Sequence, residues 1–268
     1  YKDDFLMRIN LDDNADLEVE NSAPVTIVRN LRFLNTWKKI GNLKCISVGG
    51  PFELDNCYFK LFKQVVYTIK SYKPKDKDER TSSYFDLKKI VNCTTAEAGE
   101  IDDEGKGITH SGDPLYLFDL DGLGDALVFQ HNGIHDTKDG QKALSLNQCN
   151  GGIITSNIIN NDVFIKNSKG ITFNSNHLEY GAQVLIQNSN VTSMNNFFEK
   201  GTRPNLVVKS INEGNASVVK SMGDLFLFYD KRNRTNIKQV SEYDVQISNF
   251  SSFEVSQSYR YWVNTGVI

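Results

Sequence analysis

The chain has 268 residues, with 30 Lys+Arg against 33 Asp+Glu and a formal net charge of −3. So even a balance argues against a nucleic-acid binder, which normally carries a basic excess or a basic stripe. No stretch approaches 18 consecutive apolar residues, so no membrane insertion is expected.

The chain opens YKDDFLMR, without an initiator methionine, a basic n-region or an apolar h-region. It reads as a fragment of a longer chain, with residues 1–268 forming a single domain. The first patterned segments are VTIVRNLRFLN at 25–35 and ISVGGPFELDNCYFKLF at 46–62. Both carry Asn-x-x-Phe, from Asn30 to Phe33 and from Asn56 to Phe59. Residues 71–80, SYKPKDKDER, are charged and lack apolar periodicity, which predicts a protruding loop. Cys45, Cys57, Cys93 and Cys149 form no CxxC and no Cys/His cluster with zinc spacing. Four buried, reduced thiols are the plain expectation, with a structural disulfide as the alternative.

Residues 94–142 are expected to form an acidic excursion. Excursions from a repeat often emerge on its binding face. Within it, Asp102, Asp103, His110 and Asp113 form an alternative acid/base group, and His131, His135 and Asp136 flank it. Asp119-Leu-Asp121-Gly-Leu-Gly-Asp125 has the alternating carboxylates of a calcium loop. Leu123 and Gln130 stand where two further ligands belong, so an acidic turn is the default and no metal is expected. No P-loop or GxGxxG is present, and no cofactor is expected.

Residues 143–230 hold the most regular units. Residues 141–200 contain 12 Asn, which disfavours helix and strand interiors but tolerates the left-handed region of tight turns. Segments starting at Ala143, Val163, Val184 and Leu206 align with spacings of 20, 21 and 22 residues. Each opens with an alternating apolar strand ending on Asn147, Asn167 or Asn188. A second strand follows, with Asn157, Asn176 and Asn196 beside Ile159, Leu178 and Phe198. One such unit cannot bury its apolar face alone, so units must stack. Parallel stacking brings equivalent residues within about 4.8 Å and lets Asn side chains form ladders. The fold expected is all-β, a right-handed single-stranded parallel β-helix with loop excursions; an antiparallel β-sandwich is the alternative. Ile165, Ile186 and Val208 should then form one buried column, and VQISNFSSFEV at 245–255 should add a further coil.

The same register sets Glu179 beside Glu199 on neighbouring coils. Two carboxylates at about the 5–5.5 Å separation of retaining glycosidases can act as acid and base, each charge favouring protonation of the other. They are the first choice for catalytic residues, with His177 and Tyr180 as substrate contacts. The bland alternative is a pair of exposed turn carboxylates, partly neutralised by Lys200. At the chain end SYRYWVNTGVI gathers Tyr259, Tyr261 and Trp262. Of these, Trp262 is the candidate for stacking on a sugar ring.

The phrase ISVGGPFELDNCYFKLF and the coils at 143–205 resemble the pectate-lyase-like β-helix superfamily, most closely bacteriophage tailspikes and tail appendages. The resemblance covers most of residues 20–230. It lies in a recurring order of residue types, apolar-x-apolar, Asn, turn, Asn and aromatic, and carries no catalytic signature. It implies bacterial surface polysaccharide as ligand, a homotrimer and a place in the virion. It does not imply an activity, because fold alone never does. A secreted polysaccharide lyase or glycoside hydrolase is the enzyme alternative, and a non-catalytic structural β-helix is the third reading.

Overall fold

The computed structural model describes residues 5–9, 26–34, 44–48, 52–60, 62, 64–68, 88–96, 116–135, 142–199, 203–211, 213–227, 245–248 and 250–261. These residues form 23 strands in one continuous sheet, and among them there is no α-helix. Every pairing between described strands is parallel. This removes the antiparallel sandwich. In the central region each coil has three strands, and each strand pairs with its counterpart one coil further on. Val163–Lys166, Lys169–Asn174 and His177–Leu178 pair with Val184–Gln187, Asn190–Met194 and Phe197–Glu199. Those in turn pair with Leu206–Lys209 and with the long strand Val218–Leu227.

The strand period of two turns alternate side chains inward. Leu120, Leu146, Ile165, Ile186 and Val208 are opposite one another in successive coils and are all buried. A second inward column runs through Ile134, Ile159, Leu178, Phe198 and Phe226, with the last two rings stacked at 4.7 Å. In the N-terminal coils, Phe33 stacks on Phe59 at 5.1 Å, as the Asn-x-x-Phe repeat implies. The alignment needs one adjustment: the partner of Val163 is Leu144, not Ala143. The cause is that Gln148, not Asn147, takes the left-handed turn (φ 56°) that Asn167 and Asn188 take in the next two coils, so matching Asn147 to Asn167 is one residue out of register.

The corners repeat a two-residue device. A left-handed residue turns the chain, and the next residue points inward. At one corner the left-handed residues are Asn30, Asn56, Asn92, His131, Ser156, Ser175, Asn195 and Gly223. At Gly223 a Cβ would come within 2.4 Å of Asn195 Oδ1, so a larger residue there would have to displace that side chain. The inward residues that follow include Asn132, Asn157, Asn176, Asn196 and Asp224, each at most 2% exposed.

Breaking the strand at a corner leaves a buried backbone N–H without a ladder partner. The next coil's side chain supplies one. Asn132, Asn157 and Asn176 donate their N–H groups to Oδ1 of Asn157, Asn176 and Asn196 at 2.9–3.1 Å. Asn196 N–H goes to Asp224 Oδ1 at 2.9 Å. The Nδ2 groups of the four asparagines reach the same acceptors and carbonyls of the preceding coil, such as Ile154 O and Phe173 O. Serines do the same at the other corner: Cys149, Ser168 and Ser189 N–H donate to Ser168, Ser189 and Ser217 Oγ. A third, more exposed ladder links Asn188, Asn167, Asn147 and Asp121 through their side chains.

The stretch expected as an excursion at 94–142 is partly coil. Thr94–Ala96, Tyr116–Gln130 and Gly133–Ile134 pair within the stack. Asp102, Asp103, His110, Asp113 and Asp136 lie outside the described residues, as does the 71–80 loop. The 245–255 segment does add strands, Val245–Ile247 and Ser252–Tyr261.

The interior can be tested at two positions. Ile186→Asp places an unpaired charge in the Ile165–Val208 column and should cost about 3–5 kcal/mol. A denaturant midpoint unchanged from the parent would show that residue 186 does not face inward.

The second position is Asp224. Burial pushes its carboxyl above the ordinary 3.8, against hydrogen bonds from Ser193, Ser221 and Asn196 that work the other way. The folded chain therefore holds this proton more tightly than the unfolded one. Stability from this group is greatest at low pH and falls as pH rises from about 3.8 through the raised folded value. Asp224→Asn keeps the acceptor and removes the buried charge. It should stabilise the protein by about 1 kcal/mol at pH 7, a gain that shrinks on acidification. Denaturant midpoints of parent and variant across pH 3–7 test this, and a variant weaker at pH 7 would contradict it.

Candidate functional site

The short strands His177–Leu178 and Phe197–Glu199 form one outer edge of the central coils. Each follows an inward asparagine, Asn176 or Asn196, so the ladder sets their rotation. Leu178 and Phe198 point inward and are buried; His177 and Phe197 face out on one side of them, Glu179 and Glu199 on the other.

The structure brings the two glutamates together around a histidine. His177 Nε2 lies 3.3 Å from Glu199 Oε1, and His177 Nδ1 lies 3.7 Å from Glu179 Oε1. The ring meets Phe197 edge-on with centroids 4.6 Å apart. The second oxygen of Glu199 accepts the Tyr180 N–H at 3.1 Å. A neutral imidazole can donate to only one carboxylate, whereas an imidazolium can donate to both. The expected bare carboxylate pair is thus a carboxylate–imidazole–carboxylate group. Glu199 is the more committed of the two, with both oxygens engaged.

Tyr180 begins a turn that the chain can make only with two successive left-handed residues, Tyr180 (φ 54°) and Gly181 (φ 73°). The Ala182 N–H closes it on Glu179 O at 3.0 Å. The Tyr180 side chain is 78% exposed. Upstream on the same outward column stand Ile158, Gly133, Thr94, Tyr58 and Arg32, with the Arg32 guanidinium 5.1 Å from the Tyr58 ring centroid. His135 packs over this column against Gly133, where a Cβ would fall 2.7 Å from His135 Nε2 and displace the ring.

A second polar group braces the turn and was not foreseen. Asp162 accepts two hydrogen bonds from Arg203 at 2.8 and 3.0 Å, one from Lys142 and one from Gln183 N–H at 2.9 Å. Burial works to raise the Asp162 carboxyl, but Arg203, Lys142 and Gln183 outweigh it and hold it below the usual range. Arg203 and Asp162 belong to coils on either side of the Tyr180 turn, so the pair spans that turn. Asp162 and Gln183 do hold equivalent positions one residue before Val163 and Val184, a legible sign that both are corner residues. Nothing in the local sequence marks Arg203.

The other sequence candidates are dispersed. Asp121 and Asp119 lie within the strand Tyr116–Gln130 rather than in a loop. Asp121 Oδ1 accepts from Asn147 Nδ2 at 2.8 Å, which commits it to the exposed ladder. The side chain of Asp125 and all of Trp262 lie outside the described residues, as do the side chains of Tyr259 and Tyr261. Among the described residues no group of three or more His, Cys, Asp or Glu side chains could hold a metal ion. Compared with protein families, with curated proteins and with solved structures, the chain matches none.

Glu199→Ala removes the acceptor of Tyr180 N–H and a partner of His177. Since the group is partly exposed, the expected stability loss is only about 1 kcal/mol. Amide hydrogen exchange at Tyr180 should accelerate while Leu178 keeps its protection. Unchanged exchange at Tyr180 would mean that Glu199 does not hold the turn.

Proposed function

We propose that the chain is a right-handed, single-stranded parallel β-helix of the bacteriophage tailspike kind that binds bacterial surface polysaccharide. The handedness rests on the strong preference of parallel crossovers for the right-handed sense. The observation that carries the ligand class is the display of Tyr180, exposed on a braced turn, beside the Glu179–His177–Glu199 group and Phe197. Sugar rings offer apolar C–H faces and a rim of hydroxyls. An aromatic ring beside anchored acceptors matches both. The outward column from Arg32 to Phe197 would let an extended chain run along the stack. In this reading the working form is a homotrimer on the virion.

Cleavage is a second activity of the same site, favoured by the two carboxylates on one imidazole. Glu179, whose only contact at the ring is the longer one, is the group free to act on substrate; Glu199 holds the ring and the turn. The competing outcomes are a secreted enzyme of the lyase or hydrolase class and a β-helix that only carries other modules.

The test is binding to a panel of capsular and wall polysaccharides, together with release of reducing ends. Tyr180→Ala should weaken binding about tenfold, the loss of one stacking contact. If the chain cleaves its ligand, Glu179→Gln and Glu199→Gln should each lower the rate by about 10² or more. Binding unaffected by Tyr180→Ala would move the site elsewhere on the coils, and no binding across the panel would leave a structural β-helix.

A further inference from the structure

We propose that Cys57 and Cys93 are the site of a disulfide that joins two successive coils, formed as the chain folds in the presence of a small-molecule disulfide. The two cysteines occupy the inward corner position that Asn132, Asn157, Asn176 and Asn196 fill further along. Their neighbours fix the register on both sides: Asp55 is opposite Val91, and Tyr58 is opposite Thr94. The Thr94 N–H donates to Cys57 O at 2.9 Å. Counterparts on adjacent parallel strands are about 4.8 Å apart, inside the roughly 4.4–6.8 Å Cα range of disulfides.

The side chains face each other as well. The two thiols influence each other electrostatically, and each reaches a carbonyl: Cys57 Sγ to Asp55 O at 3.4 Å and to Val28 O at 3.6 Å, Cys93 Sγ to Val91 O at 3.3 Å. Along this corner column the preceding residue is the exposed Leu31 and the following one is the buried Asn132, so Cys57 and Cys93 are the one cysteine-on-cysteine step among its described residues. Both are reduced in the structure and at most 2% exposed.

The interaction with Cys93 pulls the Cys57 thiol down against the effect of burial, and the same interaction together with burial pushes Cys93 up. This orders the chemistry. The Cys57 thiolate attacks one sulfur of the oxidant RSSR, forming a Cys57–SR mixed disulfide and releasing RS⁻, which takes up a proton. Cys93 then loses its proton and attacks the Cys57 sulfur, expelling the second RS⁻. The protein gives up two electrons and two protons, and RSSR becomes two RSH. Because the finished coils bury both sulfurs, exchange belongs to the stage when the two corners have already met but the coils have not closed over them. Once closed, the bond is shielded from reductant. It closes the loop 57–93, which contains the charged 71–80 segment, and so removes conformational freedom from the unfolded chain.

The competing thiol is Cys45, which feels the Cys57 charge but lies between residues paired with Gln64 and Val66, where its counterpart is Val65. Burial pushes Cys45 up, leaving it the poorer nucleophile.

The test is refolding of the full chain from denaturant with a mixture of oxidised and reduced glutathione, followed by alkylation under denaturing conditions and peptide mass mapping. Of the four cysteines, Cys45 and Cys149 should be alkylated, while a Cys57–Cys93 linked peptide accounts for the other two. Thermal unfolding of the oxidised chain should come about 5–10 °C higher than that of the reduced chain. Four alkylated cysteines, a bond joining Cys57 to Cys45 instead, or glutathione left on Cys57 as a mixed disulfide would each overturn the proposal. Cys93→Ser, the conservative variant, should keep the reduced fold and lose the linked peptide and the thermal shift together.

Discussion

The structure depends on how the buried N–H at each corner finds an acceptor. Strand ladders satisfy the backbone along the flat runs, but a left-handed residue at a corner breaks the ladder and strands the next N–H inside. The inward Asn or Ser of the following coil accepts it, as Asn176 Oδ1 does for Asn157. The bond runs along the stack, so each coil completes the one before it. A single coil therefore has neither a closed core nor a complete hydrogen-bond inventory, and stability is a nearest-neighbour property.

The same device fixes the outer surface. Since Asn176 and Asn196 are locked inward, the residues after them alternate with no freedom of rotation. His177 and Phe197 come out on one side of the buried Leu178 and Phe198, Glu179 and Glu199 on the other. The site is a consequence of the ladder immediately upstream. Its turn is then braced from outside by Arg203 and Asp162.

Two aspartates show how neighbours decide the behaviour of one side chain. Asp162 meets Arg203 and Lys142, which hold its carboxyl low despite burial. Asp224 meets hydroxyls and an amide and no cation among its named partners, so burial prevails and its carboxyl rises. Asp224 ends the amide ladder where the inward column beside it also turns polar, at Ser193 and Ser221. The carboxylate oxygens accept from both the Asn196 amide and Ser221, a role that a further amide could also fill.

The sequence by itself determined the period, the apolar columns and the ladders, because each is a local pattern repeated at nearly constant spacing. Ile165, Ile186 and Val208 could be set in one column, and Glu179 beside Glu199, by counting alone. Even the change of corner grammar is written in the spacing: Asn30 and Asn56 stand three residues before an inward Phe, while Asn157, Asn176 and Asn196 stand two before their apolar partner. The tertiary structure decided what counting cannot reach. Gln148 stands at the corner that Asn167 and Asn188 hold in the next coils, so the unit starts at Leu144 rather than Ala143, because pairing rather than resemblance sets the register. The ring of His177 enters between two carboxylates, a matter of side-chain direction rather than of position. Arg203 crosses a whole coil to reach Asp162, and Cys57 meets Cys93 only because the coils that hold them stack. These contacts join residues far apart in the chain, and no local pattern encodes them.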